Sequence, residues 1–170
     1  MRGLMLFAVL LFSIALQSTV LAEINLFGVT PDLILVITVC YGLLHGPVKG
    51  LFFGLLGGLL LDLTGGGILG LHTLVKAVLG YGAGFLEKTV FKDNILVPAI
   101  ALVIATFIQG VISLLILITF DWQGRFFTHF VYTVLPLSIY HPLLTIPIYY
   151  GVLKLTGHNH RGLGRGGMEL

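Results

Sequence analysis

Five polar side chains lie inside long apolar segments of this 170-residue chain, and they are the residues best able to do chemistry: Asp62, His72, Lys76, Gln109 and His141. An ionisable side chain inside a membrane span is costly, so by default it has a function and a partner. Asp62 and Lys76 flank a glycine-rich turn, and we predict that they form an intramembrane polar pair. The competing interpretation is that Asp62 caps or leaves its helix end while Lys76 extends its ammonium group to the interface.

The other three side chains are predicted to form a polar core. His141 precedes Pro142, whose ring removes a backbone hydrogen bond and leaves a carbonyl oxygen without its donor. A local hydrogen bond is therefore the favoured role for His141, and a proton relay or a ligand contact, with Gln109 nearby, is the alternative. For His72, close to the predicted outer interface, the structural role is likewise favoured.

The sequence lacks the motifs of common catalytic sites. It contains no H-E-x-x-H zinc motif, no G-x-S-x-G nucleophile elbow, no G-x-x-x-x-G-K-[ST] phosphate loop and no paired carboxylates at helical spacing inside an apolar segment. We therefore predict a protein that is not an enzyme and that has neither a cofactor nor a metal site. The formal net charge of +2 is too small to suggest nucleic acid binding.

The composition is that of an integral membrane protein. Hydrophobic residues make up 57% of the chain and charged residues 9%, against about 25% charged residues in soluble domains, and the mean hydropathy is +1.07. At about 20 residues per span, the length allows roughly six spans. We predict an all-α polytopic membrane protein with one transmembrane domain over residues 1–156 and a flexible cytoplasmic tail over 157–170. The predicted spans are approximately 4–22, 31–47, 49–63, 69–86, 95–120 and 129–155.

Three of these segments carry further signals. The second is opened by Pro31 and Asp32, because proline suits a first helical turn and an acidic residue is favourable at a helix N-terminus. The third is about 20 Å long, short for a hydrocarbon core of about 30 Å, so it either crosses fully or re-enters. The first resembles a signal peptide in part, but its length and the spans that follow favour an uncleaved helix.

Basic residues orient the chain in the membrane. With six spans and both termini in the cytoplasm, seven basic residues lie inside, Arg125 lies outside and Lys76 lies within a span, which satisfies the positive-inside rule. The residues predicted inside are Arg2, Lys49, Lys88, Lys92, Lys154, Arg161 and Arg165.

Small residues recur at a spacing of four in two neighbouring segments. On a helix, residues four apart share one face, and glycine there lets two backbones approach closely. We predict that these glycine faces pack helices together or contact a partner protein. The first face, which ends at Asp62, is Gly46, Gly50, Gly54 and Gly58, and the second is Gly80 and Gly84.

The order of these features resembles the bacterial rod shape-determining protein MreD family. The resemblance covers roughly residues 26 to 125. The matching residues are Pro31-Asp32-Leu33, then Gly50-x-x-x-Gly54-x-x-Gly57-Gly58-x-x-x-Asp62, then Gly66, Gly67 and Gly70, then Leu74 and Gly80-Tyr81.

This resemblance implies a non-catalytic scaffold of the cell-wall elongation machinery in the bacterial inner membrane, supporting rod shape and peptidoglycan synthesis. Family partners would be an MreC-like protein, the actin-like MreB cytoskeleton, a RodA-like polymerase and a class B penicillin-binding protein, besides membrane lipids. The family is related in fold to the substrate-binding subunits of energy-coupling-factor transporters. The rival hypothesis is therefore a small-molecule-binding transporter subunit, in which Asp62, His72 and Lys76 would line an outward-facing pocket.

Overall fold

The computed structural model describes residues 2–23, 29–65, 68–86, 96–119 and 130–156. The predicted all-α class with six helical segments is confirmed within these residues. The helices are α1 (Arg2–Glu23), α2 (Leu33–His45), α3 (Pro47–Gly65), α4 (Leu71–Gly84), α5 (Leu96–Thr119) and α6 (Leu135–Thr156), and a π-helical turn at Phe130–Val134 leads into α6. The predicted tail 157–170 lies outside the described residues, as do Lys88, Lys92, Arg125, Arg161 and Arg165.

The helices differ in whether their length suffices to cross a membrane. Four are long and apolar enough: α1, α3, α5 and α6 with its preceding π-helical turn. The third segment, whose crossing the sequence left open, is therefore long enough as the 19-residue α3. In contrast, α2 and α4 have 13 and 14 residues, or about 20 Å each at 1.5 Å per residue. Both are shorter than the spans predicted for them.

The short helix α2 lies at the centre of the bundle. Its residues from Leu33 to Leu44 are all buried, and it contacts α1, α3, α4, α5 and α6. A helix that is apolar on every side is buried on every side, and the hydrophobic core is accordingly built around Ile34, Leu35, Val36 and Val39. Because α2 is enclosed by protein, it need not be long enough to span lipid.

Glycines bring α3 and α4 together backbone to backbone. A Cβ atom added at Gly50, Gly54 or Gly58 would overlap the α4 backbone near Gly80, Lys76 and His72 respectively. The approach is equally close from the α4 side, because a Cβ atom added at Gly80 would overlap the backbone of Gly50 on α3. Small residues permit this approach, and dispersion then acts across the contact without a hydrophobic driving force from the lipid.

The prediction that Gly46 belongs to the same helical stripe is wrong. Gly46 ends α2, with a φ of 89°, and the helix that carries the other three glycines begins one residue later at Pro47. This left-handed conformation favours glycine. The position still lies at the α3–α4 contact, since a Cβ at Gly84 would overlap the backbone of Gly46 and Pro47.

Gly42 on α2 completes the contact and was missed in the sequence. A Cβ there would overlap the carbonyl oxygen of Gly80, and a Cβ at Gly50 would lie 2.8 Å from the Cα of Gly42. Gly42, Gly50 and Gly80 therefore form a junction at which three helices meet. A residue with a side chain at any of the three positions would separate at least two of the helices.

Replacing Gly54 with leucine should destabilise the fold, because the side chain would have to displace the backbone of α4 at Lys76 and Ala77. We expect a loss of about 3 kcal/mol or more in the free energy of unfolding, at the upper end of overpacking costs. The matched control is Gly82→Leu on α4, where an added Cβ meets nothing within 4 Å; its effect should stay within about 0.5 kcal/mol. Equilibrium unfolding of both variants in mixed detergent micelles measures the difference, and equal losses would contradict the assigned contact.

Candidate functional site

A buried polar network surrounds the first turn of α2. Asp32 is the N-cap residue, and its Oδ1 accepts a hydrogen bond from the backbone N–H of Leu35 at 2.9 Å. An N-cap carboxylate satisfies one of the orphan N–H groups that every helix leaves at its start. Here the cap is needed more than at a protein surface, because Pro31, Asp32 and Leu33 are all buried.

Lys76 of α4 neutralises the Asp32 carboxylate. Its Nζ lies 2.6 Å from Oδ2 of Asp32, and the lysine side chain is 0% exposed. The predicted pair of Lys76 with Asp62 is therefore wrong, and so is the alternative in which Lys76 reaches the interface. Burying one charge alone costs several kcal/mol, whereas two opposite charges in direct contact largely compensate each other.

The long helices α5 and α6 add two more partners to the same cap. Gln109 of α5 donates from Nε2 to Asp32 Oδ2 at 3.2 Å, and His141 of α6 accepts the backbone N–H of Asp32 at its Nε2 at 3.0 Å. Gln109 and His141 therefore do join one polar core, and its centre is Asp32. Oε1 of Gln109 is buried and has no partner within the described part of the chain, so this amide keeps capacity for one more donor.

The hydrogen bonds of His141 fix its proton position. Thr106 of α5 donates its hydroxyl proton to the Leu102 carbonyl oxygen at 2.7 Å, so it is left to accept from Nδ1 of His141, also at 2.7 Å. Nε2 accepts, as described above, and the ring is thus the neutral tautomer with its proton on Nδ1. The expected local hydrogen bond for His141 is replaced by two long-range ones, to α2 and α5.

This arrangement argues against a proton relay through His141. The group facing Nε2 is a backbone N–H, which is far too weak an acid to pass its proton to the ring in a relay. On the other side, the Thr106 hydroxyl is committed to a carbonyl oxygen of its own helix. The ring therefore connects α6 to α2 and α5 as a structural link.

The outermost helix, α1, contributes one further hydrogen bond. Gln17 accepts the backbone N–H of Leu33 through Oε1 at 3.0 Å. The backbone N–H groups of Asp32, Leu33 and Leu35 are thus all satisfied by side chains. Four other helices reach the start of α2, through Gln17, Lys76, Gln109 and His141.

The network lies at mid-height of the long helix α5. Thr106 comes ten residues after the start of α5 and thirteen before its end, which corresponds to about 15 and 20 Å along the helix. Polar backbone groups at that depth are tolerated in membrane proteins only where protein encloses them. The network supplies that enclosure for the start of α2.

Asp62 has a different role from the one predicted. Its carboxylate accepts the backbone N–H groups of Gly70, His72 and Thr73, each at 3.0 Å, and the Thr73 hydroxyl at 2.5 Å. Asp62 at the end of α3 therefore caps the start of α4, whose own N-cap residue Gly70 has no side chain for the purpose. His72 contributes its backbone to this cap rather than joining Gln109 and His141.

Sequence reasoning missed Asp32 as the acid of the ion pair, and it missed Thr106 and Gln17 altogether. The signal for Asp32 was present, because Pro31-Asp32 was interpreted as a helix start. Nothing in the spacing distinguished Asp32 from Asp62 as the partner of Lys76. No signal pointed to Gln17 or Thr106, since single polar residues on apolar helices commonly bond to their own backbone.

The chemistry of the network is that of a structural centre. Its carboxylate is neutralised by an ammonium group, and both ring nitrogens of its histidine are engaged. Among the residues that the structure describes, no group of three His, Cys, Asp or Glu side chains is arranged to hold a metal ion.

The sequence was compared with models of protein families, with curated proteins and with solved structures. A family model described as rod shape-determining protein MreD matches residues 1–158. No curated protein and no solved structure matches the chain. The expected likeness to the substrate-binding subunits of energy-coupling-factor transporters therefore stays a prediction.

Lys76→Met should destabilise the protein by about 3–5 kcal/mol, because it leaves the Asp32 carboxylate buried without its cation. The double variant Asp32→Asn/Lys76→Met should recover most of that loss, since asparagine caps a helix about as well as aspartate and methionine fills the space of the lysine stem. Unfolding of the single and double variants in mixed micelles measures the difference. A double variant less stable than Lys76→Met would contradict the assigned ion pair.

Proposed function

The chain belongs to the rod shape-determining protein MreD family, and from that premise we propose that it is a non-catalytic scaffold of the cell-wall elongation machinery. The family implies a membrane protein with a role in determining rod shape. The proposal adds that this role is performed by protein–protein contacts in the bacterial inner membrane, with both termini in the cytoplasm. The partners would be an MreC-like protein, a class B penicillin-binding protein, a RodA-like polymerase and, directly or through MreC, an MreB-like cytoskeleton.

One observation carries the proposal: the intramembrane ionisable groups are used to hold the bundle together. Asp32 and Lys76 neutralise each other, His141 joins three helices, and Asp62 caps α4. An ionisable residue in a membrane span is otherwise a strong indication of chemistry or transport. Here each of these residues has a structural partner, which supports a rigid, non-catalytic body.

The outward faces of the long helices supply the surface that such a scaffold needs. Ile139 and Leu143 on α6, Leu74 on α4 and Leu115 on α5 are among the most exposed apolar side chains. In a membrane these faces meet lipid or the transmembrane helices of other proteins. A bundle with a fixed interior presents them at constant relative positions, which is the property a scaffold requires.

The transporter hypothesis receives no such support. It required Asp62, His72 and Lys76 to converge on an outward-facing pocket. Instead Lys76 is fully buried against Asp32, and Asp62 binds backbone groups of α4, including that of His72. Two of the three side chains that a water-soluble substrate would need, Asp62 and Lys76, are thus engaged within the protein.

Photocrosslinking in native membranes tests the partners directly. A photoreactive amino acid at Ile139 or Leu74, both on outward faces, should capture the MreC-like protein or the penicillin-binding protein from at least one position. The same amino acid at the fully buried Leu102 is the matched control and should capture neither. Capture of a transporter's coupling subunit and its ATPases instead would contradict the scaffold.

The absence of a chemical role for the network has a separate test. The double variant Asp32→Asn/Lys76→Met should support rod shape in the native host, because it removes both charges and keeps the helix cap. Cell width and length would be measured by microscopy after replacement of the wild-type gene, with membrane levels of the variant checked by immunoblot. Loss of rod shape at a normal membrane level would mean that the charges act in function and not only in folding.

A further inference from the structure

A crevice separates α1 from α3 at the end of the bundle where both helices begin. Its volume is about 220 Å³. Its apolar lining comes mainly from Leu6, Phe7 and Leu10 of α1 and from Phe52, Phe53 and Leu56 of α3.

The crevice has a closed floor and an open side. Leu10 and Phe53 are buried and form the floor, whereas Phe7, Phe52 and Leu56 are exposed along the opening. Such an opening exists because α1 packs mainly against α2 rather than against α3. Protein interiors are close-packed, so an open apolar crevice in a bilayer is filled by what surrounds it, which is hydrocarbon chain.

Among the lining residues of the crevice, one carries a charge. Lys49, the third residue of α3, lines the crevice and is exposed. A lysine at a membrane interface attracts anionic lipid headgroups. An apolar space beside the exposed ammonium group of a lining lysine is complementary to an anionic phospholipid, whose phosphate lies at one end and whose acyl chain extends beyond it.

The volume favours a chain over a soluble ligand. Sites for drug-sized molecules enclose about 300–1,000 Å³ and carry several convergent polar groups. This crevice is smaller, and the polar side chains in its lining are Lys49, at its rim, and Tyr41 of α2. It therefore fits one acyl chain better than a compact polar molecule.

We propose that the α1–α3 crevice binds one acyl chain of an anionic phospholipid whose phosphate contacts Lys49. This site is independent of the scaffold role, because none of its residues belongs to the polar network or to the outward faces named for partner contact. A bound lipid here would fill the gap between α1 and the rest of the bundle.

The charge component is tested by native mass spectrometry of the full-length protein. Wild type and Lys49→Gln would be equilibrated with an equimolar mixture of phosphatidylglycerol and phosphatidylcholine, and the ratio of retained lipids measured. We expect the preference for phosphatidylglycerol to fall about fivefold in Lys49→Gln, the factor for one lysine at an anionic surface. Lys154→Gln on α6, an exposed lysine outside the crevice, should leave the ratio unchanged.

Two results would overturn the headgroup assignment. An equal fall in both variants would mean that only net charge matters. Equal retention of both lipids by wild type would mean that any alkyl chain occupies the crevice.

The crevice itself is tested by filling it. Leu56→Trp should reduce the retained lipid by about one molecule per protein, whichever headgroup is offered, because the indole would occupy the space of the chain. Leu59→Trp is the matched control, since Leu59 is exposed on the same helix but does not line the crevice. Circular dichroism would establish that both variants keep the wild-type helix content. Unchanged lipid retention in a folded Leu56→Trp variant, or the same loss in both variants, would overturn the site.

Discussion

The ion pair between Asp32 and Lys76 holds a helix terminus in place inside a bundle that lies in lipid, and the other helices are arranged around it. A helix start exposes N–H groups that water normally satisfies, and the start of α2 is enclosed by protein at mid-height of the long helix α5. The side chain of Asp32 caps its own helix and satisfies one of these N–H groups. The cap places a negatively charged carboxylate in the core, and this buried charge creates the need for a cation beside it. Lys76 meets that need only if α4 is held close to α2. The requirement to satisfy one helix end thus sets the relative positions of several helices.

Glycine packing and the Asp62 cap meet the second requirement, which is to keep α4 close. The contact of Gly50, Gly54 and Gly58 with the α4 backbone leaves no space for side chains between the helices. At the end of this contact, Asp62 binds the first backbone N–H groups of α4. The glycine contact and the Asp62 cap therefore both hold α4 against α3. Lys76 lies opposite Gly54 in that contact, and this location links the glycine packing to the ion pair. The packed pair of helices α3 and α4 and the cap at the start of α2 are therefore parts of one structural unit.

The distribution of polar groups has a consequence for function. Asp32, Lys76 and His141 lie in the interior, whereas the exposed lysines of the described helices, Lys49 and Lys154, lie near helix ends. A partner that contacts the middle of these helices would therefore meet shape and apolar surface rather than charge. This is the kind of surface on which transmembrane helices associate through packing. A bundle whose interior is fixed by an ion pair, a histidine link and backbone contacts is suited to hold such faces at constant relative positions. Among the residues that the structure describes, Gln109 Oε1 and Thr38 Oγ1 are buried oxygens without a partner, so both side chains retain capacity for a further hydrogen bond.

The sequence by itself determined the membrane class, the six helical segments and the close approach of glycine faces, because each of these follows from local composition or from a spacing of four along one helix. It also marked Asp32 as a helix start. Only the tertiary structure decided that Lys76 pairs with Asp32 instead of Asp62, that His141 bonds to distant helices, and that Gly46 ends a helix rather than extending the stripe. The physical reason is that these contacts depend on the depth and rotation of helices far apart in the chain. Periodicity along one segment fixes which face a residue occupies, but not which neighbouring helix that face meets.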